Sequence, residues 1–263
     1  MAGLRPIVFL TDYGIEDEFV GVCLGVIARR APEVRVINLT HSIPRQDVAS
    51  GALALSRAVP YMPADAVYLA VVDPGVGSAR LAVGLEMGSG AFLVGPDNGL
   101  LSLAWKQLGG VRAAHRIEAA EILLEPLSTT FHGRDIFAPA AAYLASGGSI
   151  GELGEATPPD LLARISFPAA RVQRGRIDCI VTWVDGYGNV QLNVRRGMLD
   201  EAGLGRGFRV GDRLFPTVRT FDAAPEGQGV AVEDSSGFVA VAINRGNAAQ
   251  LLGLSEGDAV VLE

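Results

Sequence analysis

The stretch that decides the fold is VYLAVVDPGVGSAR, residues 67–80. A run of β-forming apolar residues stops at the carboxylate Asp73, and the turn that follows contains Gly75 and Gly77 before Arg80 is reached. A short apolar run bounded by Pro and Gly is typical of a buried strand in a parallel sheet. Ligands of open α/β sheets bind beyond the carboxyl ends of such strands, and glycines let other atoms approach the backbone closely. Asp73 is therefore placed to do chemistry rather than to pack.

Strands and helices alternate on both sides of this stretch. Apolar periodicity and turn residues predict strands over 7–10, 34–39, 67–72, 81–87 and 91–94, and helices over 19–27, 47–59, 100–108 and 134–145. This alternation predicts an α/β domain with a mainly parallel sheet and helices on both faces.

The sequence pattern changes after about residue 170. Apolar and polar residues alternate on both sides of the turn at 185–189, which predicts a hairpin, and residues 229–243 predict a second one. With a last strand at 257–262, this pattern predicts a smaller all-β, barrel-like domain. Residues 158–174 are rich in Pro, Ala and Arg and form the predicted linker. The two predicted domains cover residues 1–165 and 175–263.

Composition indicates a folded globular protein, because 49% of the 263 residues are hydrophobic and only 19% are charged. A net charge of −7 argues against nucleic acid as a partner. No apolar stretch is long enough to cross a membrane, and residues 7–10 are too short for the core of a signal peptide. Cys23 and Cys179 lie inside apolar runs and are predicted to be buried thiols in a reducing compartment. We therefore expect a cytoplasmic protein.

Two carboxylates allow more than one interpretation from the residues alone. Asp12 follows the first strand, where it could accept hydrogen bonds from a ribose diol or cap the turn before the first helix. No G-x-G-x-x-G motif follows that strand, which argues against NAD or FAD. Asp73 and Arg80 could form a surface ion pair of little energetic value or belong to an active site.

The histidines and the hairpin turn at 185–189 also allow more than one interpretation. His132 lies in the segment 128–135 at a predicted helix start. It could be a structural hydrogen-bonding residue or a catalyst. Neither His41 nor His115 has metal-type spacing with it, and no zinc site is expected. Turn chemistry alone would explain Asp185 and Asn189.

Seven short segments match a known family in the expected order. They are residues 11–14 (TDYG), 41–44 (HSIP), 72–77 (VDPGVG), 96–100 (PDNGL), 130–135 (TFHGRD), 185–190 (DGYGNV) and 243–249 (INRGNAA). Through these segments nearly the whole chain resembles the S-adenosyl-L-methionine (SAM) hydroxide adenosyltransferases, or SAM hydrolases, which are relatives of the fluorinases and chlorinases.

The resemblance implies a function and a set of site residues. It implies hydrolysis of SAM to adenosine and L-methionine by attack of water or hydroxide at the ribose C5′, in a homotrimer whose sites lie between subunits. It implies that SAM is the substrate and that no cofactor or metal is used. Asp73, Arg80 and His132 correspond to the triad that binds and orients the attacking water. The implied substrate-binding residues are Asp12 for the ribose diol, Asp185 and Asn189 for the methionine end, Asn244, Arg245, Asn247 and Ala248 around the adenine, and Asn98, whose place on the substrate is not specified.

Other functions remain open beside hydrolysis. Halogenating relatives carry Tyr in place of the triad Asp, and the fluorinase has Tyr-Ser at His132-Gly133 and Trp at Gln46. The complete triad therefore favours hydrolysis over SAM-dependent halide transfer of the chlorinase kind. A non-catalytic SAM- or adenosine-binding protein and a structural assembly protein are the remaining alternatives.

Overall fold

The computed structural model describes residues 3–263 and divides the chain into two compact units, one extending to Ile165 and the other Ser166–Glu263. Residues 1 and 2, which belong to the predicted first domain, lie outside the described part. In that described part no helix is both long and apolar enough to cross a membrane.

The first unit is built on one sheet. Its strands are β1 (Ile7–Thr11), β2 (Val36–Thr40), β3 (Val67–Val71), β4 (Ala82–Met87), β5 (Phe92–Pro96) and β6 (Val111–Arg116). Its α-helices are α1 (Phe19–Arg30), α2 (Val48–Ala58) and α3 (Ala138–Ala145). The strand order is β2-β1-β3-β5-β4-β6.

The sheet of the first unit is mixed. Strands β2, β1, β3 and β5 run parallel, whereas β4 is antiparallel to both β5 and β6. Only the short turn over residues 88–91 joins β4 to β5, and such a turn can connect only antiparallel neighbours. The prediction of a mainly parallel sheet therefore holds for four of the six strands, among them β3, which leads to Asp73.

Helices cover both faces of this sheet, as predicted. Alternate residues of β1 point to opposite sides: Ile7 and Phe9 belong to the core packed under α1 and α3, and Val8 and Leu10 to the core packed under α2. All five residues of β3 are buried. Burial on both faces explains why the strand before Asp73 is an unbroken apolar run rather than an alternating one.

Two predicted helices differ in the structure. The segment 100–108 forms a 3₁₀ turn at Ser102–Ala104, because the Ser102 hydroxyl donates to the Gly99 carbonyl and competes with helical bonding. The helix predicted over 134–145 begins as a π-helical turn at Gly133–Phe137 and continues as α3. Pro139 has no N–H to donate to the Asp135 carbonyl, which accepts from the Leu124 N–H at 2.9 Å instead.

The second unit is an antiparallel β structure with two short helices. Its strands are β7 (Arg171–Gln173), β8 (Arg176–Val184), β9 (Val190–Leu192), β10 (Gly207–Val210), β11 (Arg213–Pro216), β12 (Gly229–Glu233), β13 (Val239–Ile243) and β14 (Ala259–Leu262). Its helices are α4 (Arg196–Ala202) and α5 (Ala248–Leu252). The strand order is β12-β13-β9-β8-β14, with β7 also paired to β8 and with β10 and β11 forming a separate pair. The prediction of antiparallel β structure is confirmed, but α4 and α5 mean that the unit is not all-β. No closed sheet forms within residues 3–263, so the predicted barrel is not confirmed. Strands β6, β7, β10 and β11 and both helices of the second unit were not predicted, and β7 lies in the segment that was predicted to be a linker.

The loop after β3 is folded tightly against the segment that carries His132. The Asp73 carbonyl accepts from the Val76 N–H at 3.2 Å, and Gly77 has a φ of +77°. A Cβ atom at residue 77 would lie 2.4 Å from the carbonyl oxygen of Thr129. Glycine at this position therefore lets the two segments approach each other.

We expect Gly77→Ala to destabilise the protein more than a matched change at Gly90. Gly90 also has a positive φ, +91°, but nothing lies within 4 Å of its Cβ position. Gly90→Ala should therefore lower the free energy of unfolding by about 1–2 kcal/mol through backbone strain alone. Gly77→Ala should lose a further ~1–3 kcal/mol from the clash with Thr129. Urea unfolding of both variants measures the difference, and equal losses would contradict the close approach.

Candidate active site

The first unit contains a cleft of about 270 Å³ at the carboxyl ends of its parallel strands. Its walls come from the segment 12–19 after β1, residues 45 and 46 after β2, Asp73 after β3, and residues 130–133. These loops meet because parallel neighbours end at the same edge of the sheet. The acid singled out from the sequence therefore faces a cleft.

The three predicted catalytic side chains converge beside this cleft. Arg80 donates from Nε to Asp73 Oδ1 at 2.9 Å and from Nη2 to Asp73 Oδ2. The same Nη2 is 2.8 Å from His132 Nδ1. An Arg–carboxylate pair with two parallel hydrogen bonds fixes both groups in one plane, and the second hydrogen of Nη2 is left for the imidazole. The guanidinium thus joins an acid and a histidine that are distant in sequence.

The Asp73–Arg80 pair is not a surface ion pair. The side chains of Arg80 and Asp73 are only 10% and 6% exposed, and the guanidinium lies 5.1 Å from the centroid of the Phe137 ring. Removing one partner of a buried pair leaves an uncompensated charge, which typically costs about 3–5 kcal/mol. The arrangement therefore resists disruption of either member.

The contact with Arg80 identifies the tautomer of His132. A guanidinium can only donate, so Nδ1 accepts, and the proton of the neutral ring is on Nε2. Burial, and then the positive charge of Arg80, lower the pKa of His132 below its usual 6.5, while Asp73 and Asp135 act in the opposite direction. Nε2 has no hydrogen-bond partner within residues 3–263. The neutral ring therefore has an N–H group left for a ligand.

Asp12 lines the cleft and does not cap the first helix. Its Oδ2 accepts from the backbone N–H of Gln46 at 2.8 Å, whereas α1 begins without any side-chain cap. Gln46 has a φ of 65°, a left-handed conformation that is uncommon for a residue with a side chain. This strained residue orients the carboxylate of Asp12 and leaves its other oxygen for a ligand.

A buried histidine supports the same loop, and sequence reasoning gave it no role. His41 Nδ1 lies 2.9 Å from the Thr11 hydroxyl and His41 Nε2 lies 3.1 Å from Asn38 Oδ1. Thr11 Oγ1 in turn accepts from the Tyr13 N–H at 3.2 Å. Burial lowers the pKa of His41, and the neutral ring uses both nitrogens within the protein. This network fixes the backbone on both sides of Asp12.

Asn98 binds the backbone that follows β3 and is not part of the cleft wall. Its Nδ2 donates to the Val72 carbonyl at 2.8 Å, and its Oδ1 accepts from the Leu100 N–H at 3.1 Å. Val72 directly precedes Asp73, so Asn98 positions the backbone that carries the acid. Its predicted contact with the substrate stays a prediction.

The predicted site residues of the second unit form a group of their own. Asp185 Oδ1 accepts from the N–H groups of Tyr187 and Asn189, each at 2.9 Å, and Asp185 Oδ2 accepts from Asn189 Nδ2 at 2.8 Å. The turn packs on the start of α5, where Asn247 accepts from the Gln250 N–H at 2.7 Å. A Cβ atom at Gly188 would lie 2.1 Å from Asn247. Hydrogen bonds within the turn thus account for the presence of the Asp185 carboxylate. A role of Asp185 and Asn189 in binding the substrate stays a prediction.

The remaining predicted residues follow β13. Asn244 donates from Nδ2 to the Ala224 carbonyl at 2.7 Å, and the exposed Arg245 lies 3.2 Å from Glu226. Ala248 is fully buried and offers a ligand only its backbone. No group of three potential metal-binding His, Cys, Asp or Glu residues occurs within the described part of the chain.

Fold and cleft together define a two-domain protein whose α/β unit contains a polar cleft at the carboxyl ends of its parallel strands. The model of the SAM hydroxide adenosyltransferase N-terminal domain matches residues 7–154, and that of the C-terminal domain matches residues 179–261. The chain belongs to the SAM hydroxide adenosyltransferase family. The resemblance seen in the seven segments is thereby confirmed.

Named relatives extend over nearly the whole chain. The (R)-S-adenosyl-L-methionine hydrolase of Salinispora arenicola (strain CNS-205) is 48% identical over 258 residues, which is 98% of this chain and 97% of the relative. The protein of the same name from Thermus thermophilus is 44% identical over 97% of this chain and 98% of its own. A fluorinase of an Actinoplanes species is 29% identical over 91% of each. The crystal structure of an uncharacterized conserved protein from Thermotoga maritima superimposes with a TM-score of 0.89 at 32% identity, covering 97% of this chain and 99% of the other.

We expect Arg80→Gln to raise the pKa of His132 and leave that of His41 unchanged. The change removes the positive charge that lowers the pKa of His132, whereas burial alone lowers the pKa of His41. The chain has three histidines, so NMR titration of the ring protons, with assignment by single His substitutions, resolves each one. Equal shifts of His41 and His132 would argue that the variant only loosens the fold.

Proposed function

We propose that this protein hydrolyses SAM to adenosine and L-methionine by attack of water at the ribose C5′. The observation that carries the proposal is the convergence of Asp73, Arg80 and His132 beside one cleft. The names of the close relatives support the same reaction. SAM is the substrate, and we propose that no cofactor takes part.

Catalysis of this reaction requires activation of the nucleophile more than of the leaving group. A bond forms between the water oxygen and C5′ while the C5′–sulfur bond breaks, and the sulfur keeps the electron pair. Methionine therefore leaves as a neutral thioether and requires no acid. Water is a poor nucleophile at neutral pH, so the enzyme must orient it and accept its proton.

The triad supplies those two functions. Asp73 accepts a proton of the water, since each of its oxygens keeps a lone pair beside the bond to Arg80. The Nε2–H of His132 donates to the water oxygen, which leaves a second lone pair for C5′. Arg80 does not touch the water in this scheme; it fixes Asp73 and His132 relative to each other. Aligned reactants and a positioned base are established sources of rate enhancement.

The charges of the cleft favour this substrate and this nucleophile. The lining of the cleft carries Asp12, Asp17 and Asp73 against Arg45, and this excess of carboxylates attracts the sulfonium of SAM. The same carboxylates repel a halide ion, which also has no proton for Asp73 to accept. Hydrolysis is therefore favoured over halide transfer.

We further propose that the site is completed in a homotrimer, by the second unit of a neighbouring subunit. At about 270 Å³ the cleft is smaller than the roughly 300–1,000 Å³ of typical ligand pockets. In this proposal Asp185 and Asn189 hold the methionine end, and residues 244–248 contact the adenine. A cytoplasmic location is also proposed, and the two buried free thiols, Cys23 and Cys179, are in keeping with a reducing compartment.

Incubation with SAM tests the reaction, and Asp73→Asn tests the mechanism. We expect wild-type protein to form adenosine and methionine in equal amounts, and no 5′-halogenated adenosine when chloride or fluoride is added. Asp73→Asn keeps the size of the side chain but not the base, so turnover should fall ~10²–10⁴-fold. Chromatography measures the products, and calorimetry should show SAM binding within a few-fold of wild type.

The exposed Asp160→Asn serves as the matched control and should keep full turnover. Undiminished turnover in Asp73→Asn would remove Asp73 from the chemistry. Formation of halogenated adenosine by wild-type protein would favour halide transfer, and binding without products would leave a SAM-binding protein.

We expect Asp12→Asn to raise KM and to change kcat little. Asp12 lies away from the reacting bond, and loss of such a contact weakens ground state and transition state alike. The 2′-deoxy analogue of SAM shows whether the ribose is the partner, because the difference between wild type and variant should largely disappear with it. An undiminished difference with the analogue would place Asp12 against another part of the substrate.

A further inference from the structure

We propose that Tyr13 determines which nucleophile the cleft admits, because its hydroxyl group fills the space beside Gly133 and leaves room for water only. This inference rests on the proposed hydrolysis of SAM. Tyr13 and Gly133 both line the cleft, and Gly133 follows the triad residue His132 directly. The pair therefore lies at the end of the cleft where the nucleophile is held.

Gly133 is a glycine for a steric reason. A Cβ atom at this position would lie 2.0 Å from the hydroxyl oxygen of Tyr13 and 3.0 Å from its Cζ. The backbone of Gly133 is not among those with a positive φ, so any residue could adopt its conformation. The three atoms nearest to that Cβ position all belong to the phenol of Tyr13, which excludes a side chain there. Tyr13 and Gly133 are thus a matched pair in which one side chain occupies the space of both.

Packing holds the phenol of Tyr13 in place. Its ring lies 5.9 Å from Phe131 in an edge-on arrangement and 6.0 Å from Phe19, and these two rings are themselves 5.2 Å apart. Its backbone N–H donates to Thr11 Oγ1 at 3.2 Å. Three contacting aromatic rings restrict each other's rotation, because protein interiors are packed as densely as crystals. The position of the hydroxyl group is therefore set by the fold.

The hydroxyl group is neutral and available to the contents of the cleft. It makes no hydrogen bond to any residue of the described range 3–263. Burial, followed by the neighbouring Cys23 and the carboxylates Asp12 and Asp73, raises the pKa of Tyr13 well above its usual value. Tyr13 therefore acts by size and hydrogen bonding, whereas Asp73 acts on anions by charge. The two forms of selection can be separated with a nucleophile that is neutral but larger than water.

Methanol is such a nucleophile, because it exceeds water by one methyl group and carries no charge. Its oxygen would bond to C5′ as the C5′–sulfur bond breaks, its proton would pass to Asp73, and the product would be 5′-O-methyladenosine. We expect wild-type protein in buffered methanol to form almost only adenosine. In Tyr13→Phe the ratio of 5′-O-methyladenosine to adenosine should rise at least ~10-fold, the discrimination that one methyl-sized group typically provides.

A double-mutant cycle tests the matched pair. Gly133→Ala should lower turnover strongly, and the loss should be smaller when Tyr13→Phe is already present, because the 2.0 Å clash is then gone. Tyr61→Phe removes a phenol hydroxyl from an exposed ring, 72% accessible, and is the control that should leave the product ratio unchanged. The ratio is set within each turnover, so a partly unfolded variant does not alter it.

The outcomes separate this inference from the proposed function. Wild-type hydrolysis with an unchanged product ratio in Tyr13→Phe would overturn the inference and leave the hydrolase assignment intact. Additive effects of Tyr13→Phe and Gly133→Ala would overturn the matched pair in the same way. Absence of adenosine formation by wild-type protein would refute the proposed function and this inference with it.

Discussion

The site depends on one guanidinium group. Arg80 uses Nε and one hydrogen of Nη2 on Asp73 and the other hydrogen of Nη2 on His132. Because the guanidinium is planar and rigid, these three bonds fix the angle between acid and imidazole as well as their separation. A lysine could compensate the same charge but not impose the same geometry. Stacking on Phe137 and burial hold the guanidinium itself.

Hydrogen bonds within the loops at the carboxyl edge of the parallel strands position the side chains of the cleft. Asp73 is carried by the end of β3, which Asn98 holds through the Val72 carbonyl. The hydrogen-bond network through His41 holds the backbone around Asp12. Gln46 adopts a strained backbone conformation in which its N–H donates to the Asp12 carboxylate. Strain of this kind is typically stored where geometry serves a ligand. In the proposed mechanism a few side chains take part in the chemistry, and the polar groups of their neighbours hold them in position.

Features local in sequence were predictable, and those set by distant partners were not. The buried strand ending at Asp73 could be predicted because burial on both faces leaves an unbroken apolar run. The contact of Arg80 with His132 spans 52 residues, and only the resemblance to known segments brought them together. His41 and Thr11 both stood in recognised segments, but they are 30 residues apart and nothing in the sequence indicated their contact. Tyr13 stood in a recognised segment, yet its effect on the cleft depends on the missing side chain at Gly133.

His41 and His132 differ in whether both ring nitrogens find hydrogen-bond partners within the protein. His41 and His132 are both partly or fully buried, both have a lowered pKa, and both accept at Nδ1. His41 satisfies its second nitrogen with Asn38, so nothing is left for a ligand. His132 has its second nitrogen unpaired among the described residues, on a wall of the cleft. That nitrogen is accessible from the cleft rather than sealed in the interior, so its N–H can donate to a ligand or a water held there. This difference, rather than the pKa, is the reason why we propose that His132 takes part in the reaction and His41 only supports the loop.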